Sequence, residues 1–341
     1  MPSPAPSPAA QAARLPLGAA TGIGSLPGTS IRAAVQLMID ELPDLLHLPE
    51  LPARGPGAEM TGRALALLPD FPAQWGPTGW ALADRAGHDS RRGVSLLGED
   101  LDAIEELAEG WTGPLKVQLC GPWTLAATVE LRSGRKLLAD RGATRDLHQA
   151  YAQAVTDHVA EVAKRLPAAG LLLQLDEPAL PFVLEGGVPT PSGLTRLAAV
   201  DIQEVQRVLR AAAEAVPSVL VGVHCCAAAP PLRMLRDASS GFVSMDATLL
   251  TEHDDDPVGE LVEAGIRLLL GIDATAAAEA SAVPLRGLWH RLGQPPEQLA
   301  SVVVTPTCGL AGVSPDAARA ALRRCAEVAR LLTDDPEGPR G

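Results

Sequence analysis

Aromatic side chains are scarce in this sequence: five Trp, three Phe and one Tyr, 3% of 341 residues. A core of this size must therefore be built from Leu, Val and Ala. Positive charge is also short. Lys and Arg number 28 against 41 Asp and Glu, leaving 28 − 41 = −13. That balance argues against nucleic acid or an anionic membrane surface as the main partner. The five cysteines (Cys120, Cys225, Cys226, Cys308 and Cys325) are too few and too unevenly spaced for a disulfide framework. An odd count with one adjacent pair fits a reducing compartment. No run approaches the roughly 20 apolar residues of a membrane span. Met1 to Leu15 is rich in Pro, Ala and Ser and lacks the continuous apolar stretch of a secretory signal. The expectation is a cytoplasmic protein with a disordered tail over residues 1–17 and no membrane or nucleic-acid partner.

What is present is a greasy, regularly punctuated chain, 47% hydrophobic, as a globular protein requires. Short apolar runs alternate with helical patterns. Ala19 to Gly28 reads as a short strand followed by a Gly/Pro turn, and Ser30 as the cap of a helix over Ile31 to Asp40. Leu45 to Leu51 is the second strand. An irregular Gly- and Pro-rich region then runs to about Ser95, holding a helix from Ala58 to Leu68 as well as Trp75 and Trp80. Further strands are Leu115–Cys120, Gly170–Asp176, Val219–His224, Gly241–Asp246, Ile266–Asp273 and Ser301–Pro306. Helices are expected over Glu99–Glu109, Arg145–Leu166, Val200–Ala215, Pro231–Ala238, Pro257–Ala264, Leu285–Leu292 and Pro315–Leu332. Eight strands, nearly all apolar as buried parallel strands are, predict an α/β fold of the (β/α)8 TIM-barrel type. It forms a single domain over residues 18–334, with a polar tail over 335–341. A doubly wound sheet is the alternative. The turn Gly22-Ile23-Gly24-Ser25-Leu26-Pro27 breaks the glycine pattern such a sheet carries after its first strand.

In a barrel the chemistry sits at the C-terminal strand ends. Those ends carry Ser25, Glu50, Cys120, Asp176, Glu177, His224, Cys226, Asp246, Asp273 and Cys308. His, Cys and carboxylate with sulfur in excess form a zinc set. Alternation along a strand pairs His224 with Cys226 rather than Cys225, and Asp246 and Cys308 complete four ligands. The bland alternative is that these cysteines are small core hydrophobes and His224 a satisfied core residue.

The pieces Ile23-Gly24-Ser25-Leu26-Pro27, Gln174-Leu175-Asp176-Glu177-Pro178-Ala179-Leu180, His224-Cys225-Cys226 and Cys308-Gly309-Leu310 resemble the C-terminal catalytic barrel of the cobalamin-independent methionine synthases, in a short single-barrel form. The resemblance runs from about residue 19 to residue 332. It implies a Zn2+-dependent methyl transfer to homocysteine, forming methionine. His224, Cys226 and Cys308 would be zinc ligands, and Asp246 would stand where the family often has a glutamate. Asp176 would hold the homocysteine ammonium, with Glu50 as a second acidic contact. Ile23, Gly24 and Ser25 would meet the substrate's amino-acid backbone. The family's long members carry a histidine after strand seven, thought to act as an acid; Thr275 stands in that place here. The methyl donor is accordingly methyl-tetrahydrofolate or a methylated corrinoid protein, whose cobalt leaves without a proton. Other readings on the same scaffold are a methyltransferase with another thiol acceptor, a decarboxylase-like relative, and a non-catalytic zinc- or redox-sensing barrel using Cys225 and Cys226.

Overall fold

The computed structural model describes residues 14–239 and 241–338. Most of the expected N-terminal tail, residues 1–13, and the last three residues of the C-terminal one lie outside these. Nine strands follow in chain order: β1 (Leu46–His47), β2 (Ala73–Gly76), β3 (Gly79–Leu82), β4 (Pro114–Cys120), β5 (Gly170–Asp176), β6 (Leu220–Cys225), β7 (Phe242–Asp246), β8 (Arg267–Ile272) and β9 (Val303–Pro306). Seven form one parallel sheet in the order β1-β4-β5-β6-β7-β8-β9. Helices connect them, so the fold is mixed α/β and TIM-barrel-like. The expected first strand is not a regular one. Residues 19–25 instead make isolated parallel bridges, Ala20 to Val304 and Ser25 to Glu50. The segment thus touches the last strand of the sheet at one end and the residues after β1 at the other.

The helices form where caps and periodicity place them. Ser30 accepts a hydrogen bond from the Ala33 amide and opens Ile31–Glu41. Asp140 caps the long helix Arg141–Arg165, and Pro167 prevents its continuation. Ser314 caps Pro315–Asp334, with proline at the first helical position. The expected helix at Glu99 begins earlier, at His88. The region read as irregular contains the β2–β3 hairpin. Gly79, at φ 110°, makes its turn, and Trp75 and Trp80 pair across it edge to face, ring centroids 5.7 Å apart.

Strand alternation separates two kinds of interior. Leu115, Val117 and Leu119 of β4 and Leu171, Leu173 and Leu175 of β5 belong to the large cluster between sheet and helices. Their neighbours point the other way. Leu172, Phe242, Leu269 and Val303 join Leu15, Ala19 and Leu45 in a separate small cluster. Two residues further along three of these strands stand Gln174, Ser244 and Thr305, all fully buried. Each buried Leu or Phe of that floor contributes about 1.5–3 kcal/mol, and the floor sets the depth at which polar side chains begin.

Candidate functional site

Above the floor the strand ends bring sulfur together. Cys226, just past β6, and Cys308, just past β9, have their Sγ atoms 3.6 Å apart. A disulfide would need about 2.05 Å; all five cysteines are free. A contact between two sulfurs reads equally well with either as donor. The neighbouring Cys226 and the His224 ring hold the Cys308 thiol down to about 4, whereas the contact with Cys308 and burial push Cys226 up. His224 is buried on β6, and its Nδ1 lies 2.9 Å from the Ser244 hydroxyl on β7. Its Nε2 is buried without a hydrogen-bond partner by distance and angle, and burial lowers the affinity of the ring for a proton. Cys225, the neighbour on the alternate face, is wholly buried, and burial raises its thiol to about 11.

Asp246 ends β7 close enough to act electrostatically on His224. Its Oδ1 accepts from the Thr248 amide at 2.9 Å and the Thr248 hydroxyl at 2.7 Å, capping the turn Ala247–Leu249. Among the described residues no group of three or more His, Cys, Asp or Glu side chains is arranged to hold a metal ion. The donor chemistry nevertheless suits zinc. One imidazole nitrogen lacks a partner, and two sulfurs sit near the roughly 3.8 Å that thiolates on one tetrahedral zinc span at bonds of about 2.3 Å.

The acids form the other half. Glu50 and Asp176 are both buried. Burial raises Asp176 well above the usual carboxylate range, and the like charge of Glu50 adds to it. Burial also raises Glu50, opposed by the Arg63 guanidinium 3.6 Å away and by a hydrogen bond from Gln118. Glu177, next to Asp176, has a different task. It accepts from the amides of Trp123 and Thr124 and from the Thr124 hydroxyl at 2.7–2.9 Å, capping the helix Pro122–Thr128; burial holds it near 7. The Asp-Glu pair is thus split between the mouth and a helix cap. Cys120 and Cys325 are packed in the core.

The turn 23–25 lies beside the acids. Its carbonyls are engaged: Ile23 by Lys116 and Gln174, Gly24 by the Glu50 amide, Ser25 by the Leu310 amide. The last of these ties the turn to the loop carrying Cys308. Gly309 lets it come close, since a Cβ there would lie 2.1 Å from the Ser25 hydroxyl. Thr275 is exposed, and its hydroxyl donates to Asp273 at 2.6 Å.

Three buried groups escaped the sequence reading. Lys116, on β4, is wholly buried, and its ammonium donates to the Ile23 carbonyl at 2.7 Å. Burial lowers it to about 8, with Asp176 and Glu50 holding it up. Gln118 lies two residues on. His47, on β1, is buried with neither ring nitrogen partnered, and burial keeps it neutral. The available signal was a polar residue at every second position of a greasy strand: Lys116 and Gln118, Gln174 and Asp176.

No protein-family model matches this chain, and no curated protein sequence does. Among solved structures it is similar to a B12-independent methionine synthase from Shewanella sp. W3-18-1 in complex with selenomethionine. The TM-score is 0.59 and the identity 14%, covering 94% of this chain and 98% of that one. A chain of the tryptophan synthase α2β2 complex from Pyrococcus furiosus also matches, with a TM-score of 0.44, 12% identity, and 94% and 100% coverage. The first likeness is one of fold.

Proposed function

We propose that this protein is a homocysteine S-methyltransferase that forms methionine, with Zn2+ held by His224, Cys226 and Cys308. The observation that carries the reading is the meeting of two sulfurs 3.6 Å apart with an unpartnered imidazole nitrogen, beside two buried acids. The fold likeness to a methionine synthase supports it, as do the isolated bridges by which residues 19–25 would stand in for an eighth strand. Reduced cysteines agree with a cytoplasmic setting.

Bound zinc would supply the ionisation of an incoming thiol, which alone has a pKa of about 8.5 and stays mostly protonated at neutral pH. The residues of the chain do the rest. Asp176 and Glu50 take the homocysteine ammonium in a cleft where burial strengthens the attraction. With its carbonyls engaged, the turn 23–25 meets the substrate carboxylate through donors. Asp246, already committed to Thr248, would be the weakest-held of the groups available to the zinc, leaving room for a substrate sulfur. Thr275 cannot titrate near neutrality, which favours a methylated corrinoid protein over methyl-tetrahydrofolate as donor.

The test is a methyl-transfer assay with homocysteine and either methylcobalamin or methyl-tetrahydrofolate, alongside metal analysis of protein purified without chelator. About one zinc per chain and methionine from at least one donor are expected, with both metal and activity lost in Cys308→Ser. Methionine from neither donor overturns the activity. The sulfur geometry also shapes the redox alternative: the pair poised for oxidation is Cys226 with Cys308, not Cys226 with Cys225.

A further inference from the structure

Gln118 and Gln174 stand at the same level of the sheet, paired in register across β4 and β5. Each spends its amide nitrogen twice, once on backbone and once on an acid. Gln118 Nε2 donates to the Leu48 carbonyl at 2.5 Å and to Glu50 Oε1 at 3.0 Å. Gln174 Nε2 donates to the Ile23 carbonyl at 3.0 Å and to Asp176 Oδ1 at 2.7 Å. Both side chains are buried, and both amide oxygens lack a partner. The orientation of each amide is fixed by its surroundings, since a flipped amide would set its oxygen against a carbonyl and a carboxylate. The Lys116 ammonium shares the Ile23 carbonyl from the neighbouring position on β4.

This arrangement has a cost and a use. Two buried carboxylates that repel one another would drift apart, or one would take a proton. Here each is tied to backbone through a glutamine: Glu50 to the Leu48 carbonyl of its own segment, Asp176 to the Ile23 carbonyl of the turn 23–25. We propose that Gln118 and Gln174 are paired positioning residues that hold Glu50 and Asp176 as a fixed cleft for a single substrate ammonium, so that recognition of an α-amino acid, as distinct from a simple thiol or thioether, depends on them. The proposal rests on the acids taking the ammonium under the function argued above. It concerns binding, and so can fail or hold separately from methyl transfer.

The probes are methionine and 4-(methylthio)butanoate, which differ only in the amino group, with binding to the intact protein measured by calorimetry. The wild type should prefer methionine. In Gln174→Met and Gln118→Met, which keep length and remove the donor, methionine affinity should fall on the order of tenfold each, the equivalent of one buried hydrogen bond to a charged group. Affinity for the butanoate should stay within about twofold. Where methyl transfer is measurable, KM for homocysteine should rise by a larger factor than kcat falls. Thermal melts of the same proteins guard against a fold defect: both variants should melt as one cooperative unit, as the wild type does. Equal losses for both probes, unchanged methionine affinity in the folded variants, or no wild-type preference for methionine would each overturn the proposal. Methyl transfer to homocysteine alongside any of these leaves the activity standing. The selective loss without methyl transfer supports the cleft and overturns the activity.

Discussion

At the scale of single residues, neighbours in sequence have separate duties. Asp176 faces the mouth and Glu177 caps a helix; Cys226 faces Cys308 and Cys225 is buried. Asp246 divides its role, and that gives a sharp expectation. Asp246→Ala should remove the cap of Ala247–Leu249 at a cost of about 1 kcal/mol, visible in a urea titration, while the protein retains its metal. Loss of metal equal to that in Cys308→Ser would make Asp246 an indispensable ligand. Gly309→Ala tests the tie between Cys308 and the turn 23–25. The added methyl would meet the Ser25 hydroxyl at 2.1 Å, so either must move. Overpacking of this kind costs about 1–3 kcal/mol, and methionine binding should weaken with it. Ser25→Ala in the same chain should recover part of both losses.

At the scale of elements, the long helix Arg141–Arg165 carries two imidazoles withdrawn from water, His148 half-buried and His158 buried. His148 lies edge-on to Trp123 with ring centroids 4.4 Å apart, and His158 is buried ten residues on, also in the helix. Burial lowers each from 6.5 to about 4. Both stay neutral in the folded protein as the unfolded chain begins to take up protons. The stability they secure is whole above pH 6.5 and lost as pH falls towards 4, by at most about 3 kcal/mol each. Denaturant midpoints measured from pH 7 to pH 4 should fall, and the double variant His148→Gln, His158→Gln should flatten that slope. The elements also show what sequence can disclose. Strand ends were legible because a polar or sulfur residue closing an apolar run is conspicuous, and alternation picked out Cys226. The β2–β3 hairpin was not, because glycine, proline and tryptophan together read as loop until Trp75 and Trp80 are seen to face each other. Lys116 and Gln118 were hidden for another reason: the surrounding Leu and Val dominate the pattern, and only period two reveals the polar face.

At the scale of the whole molecule, the candidate site spans strands that are not neighbours. Cys226 follows β6 and Cys308 follows β9, with β7 and β8 between them. A metal held by both would clamp the sheet across its mouth, and mass action would count its binding towards folding. Chelation should lower the thermal midpoint, by the equivalent of about 2.7 kcal/mol at a free metal concentration 100 times Kd. In Cys226→Ser the chelator should have no further effect. A midpoint indifferent to chelator in the zinc-loaded wild type would detach the metal from the fold. No helix among the described residues is long and apolar enough to cross a membrane.

The bridges made by residues 19–25 have a consequence for how the chain comes into being. Ala20 meets Val304, a separation of 304 − 20 = 284 positions. At a synthesis rate of about 5–20 residues per second, an early segment that has left the ribosome waits roughly 15–60 s for its partner. During that interval the edge of residues 19–25 that will meet β9, and the edge of each newly added strand, are open to other chains. The last strand to be made brings both the cover for that edge and, two residues beyond its end, the second sulfur, so closing the sheet and completing the candidate site are one late event.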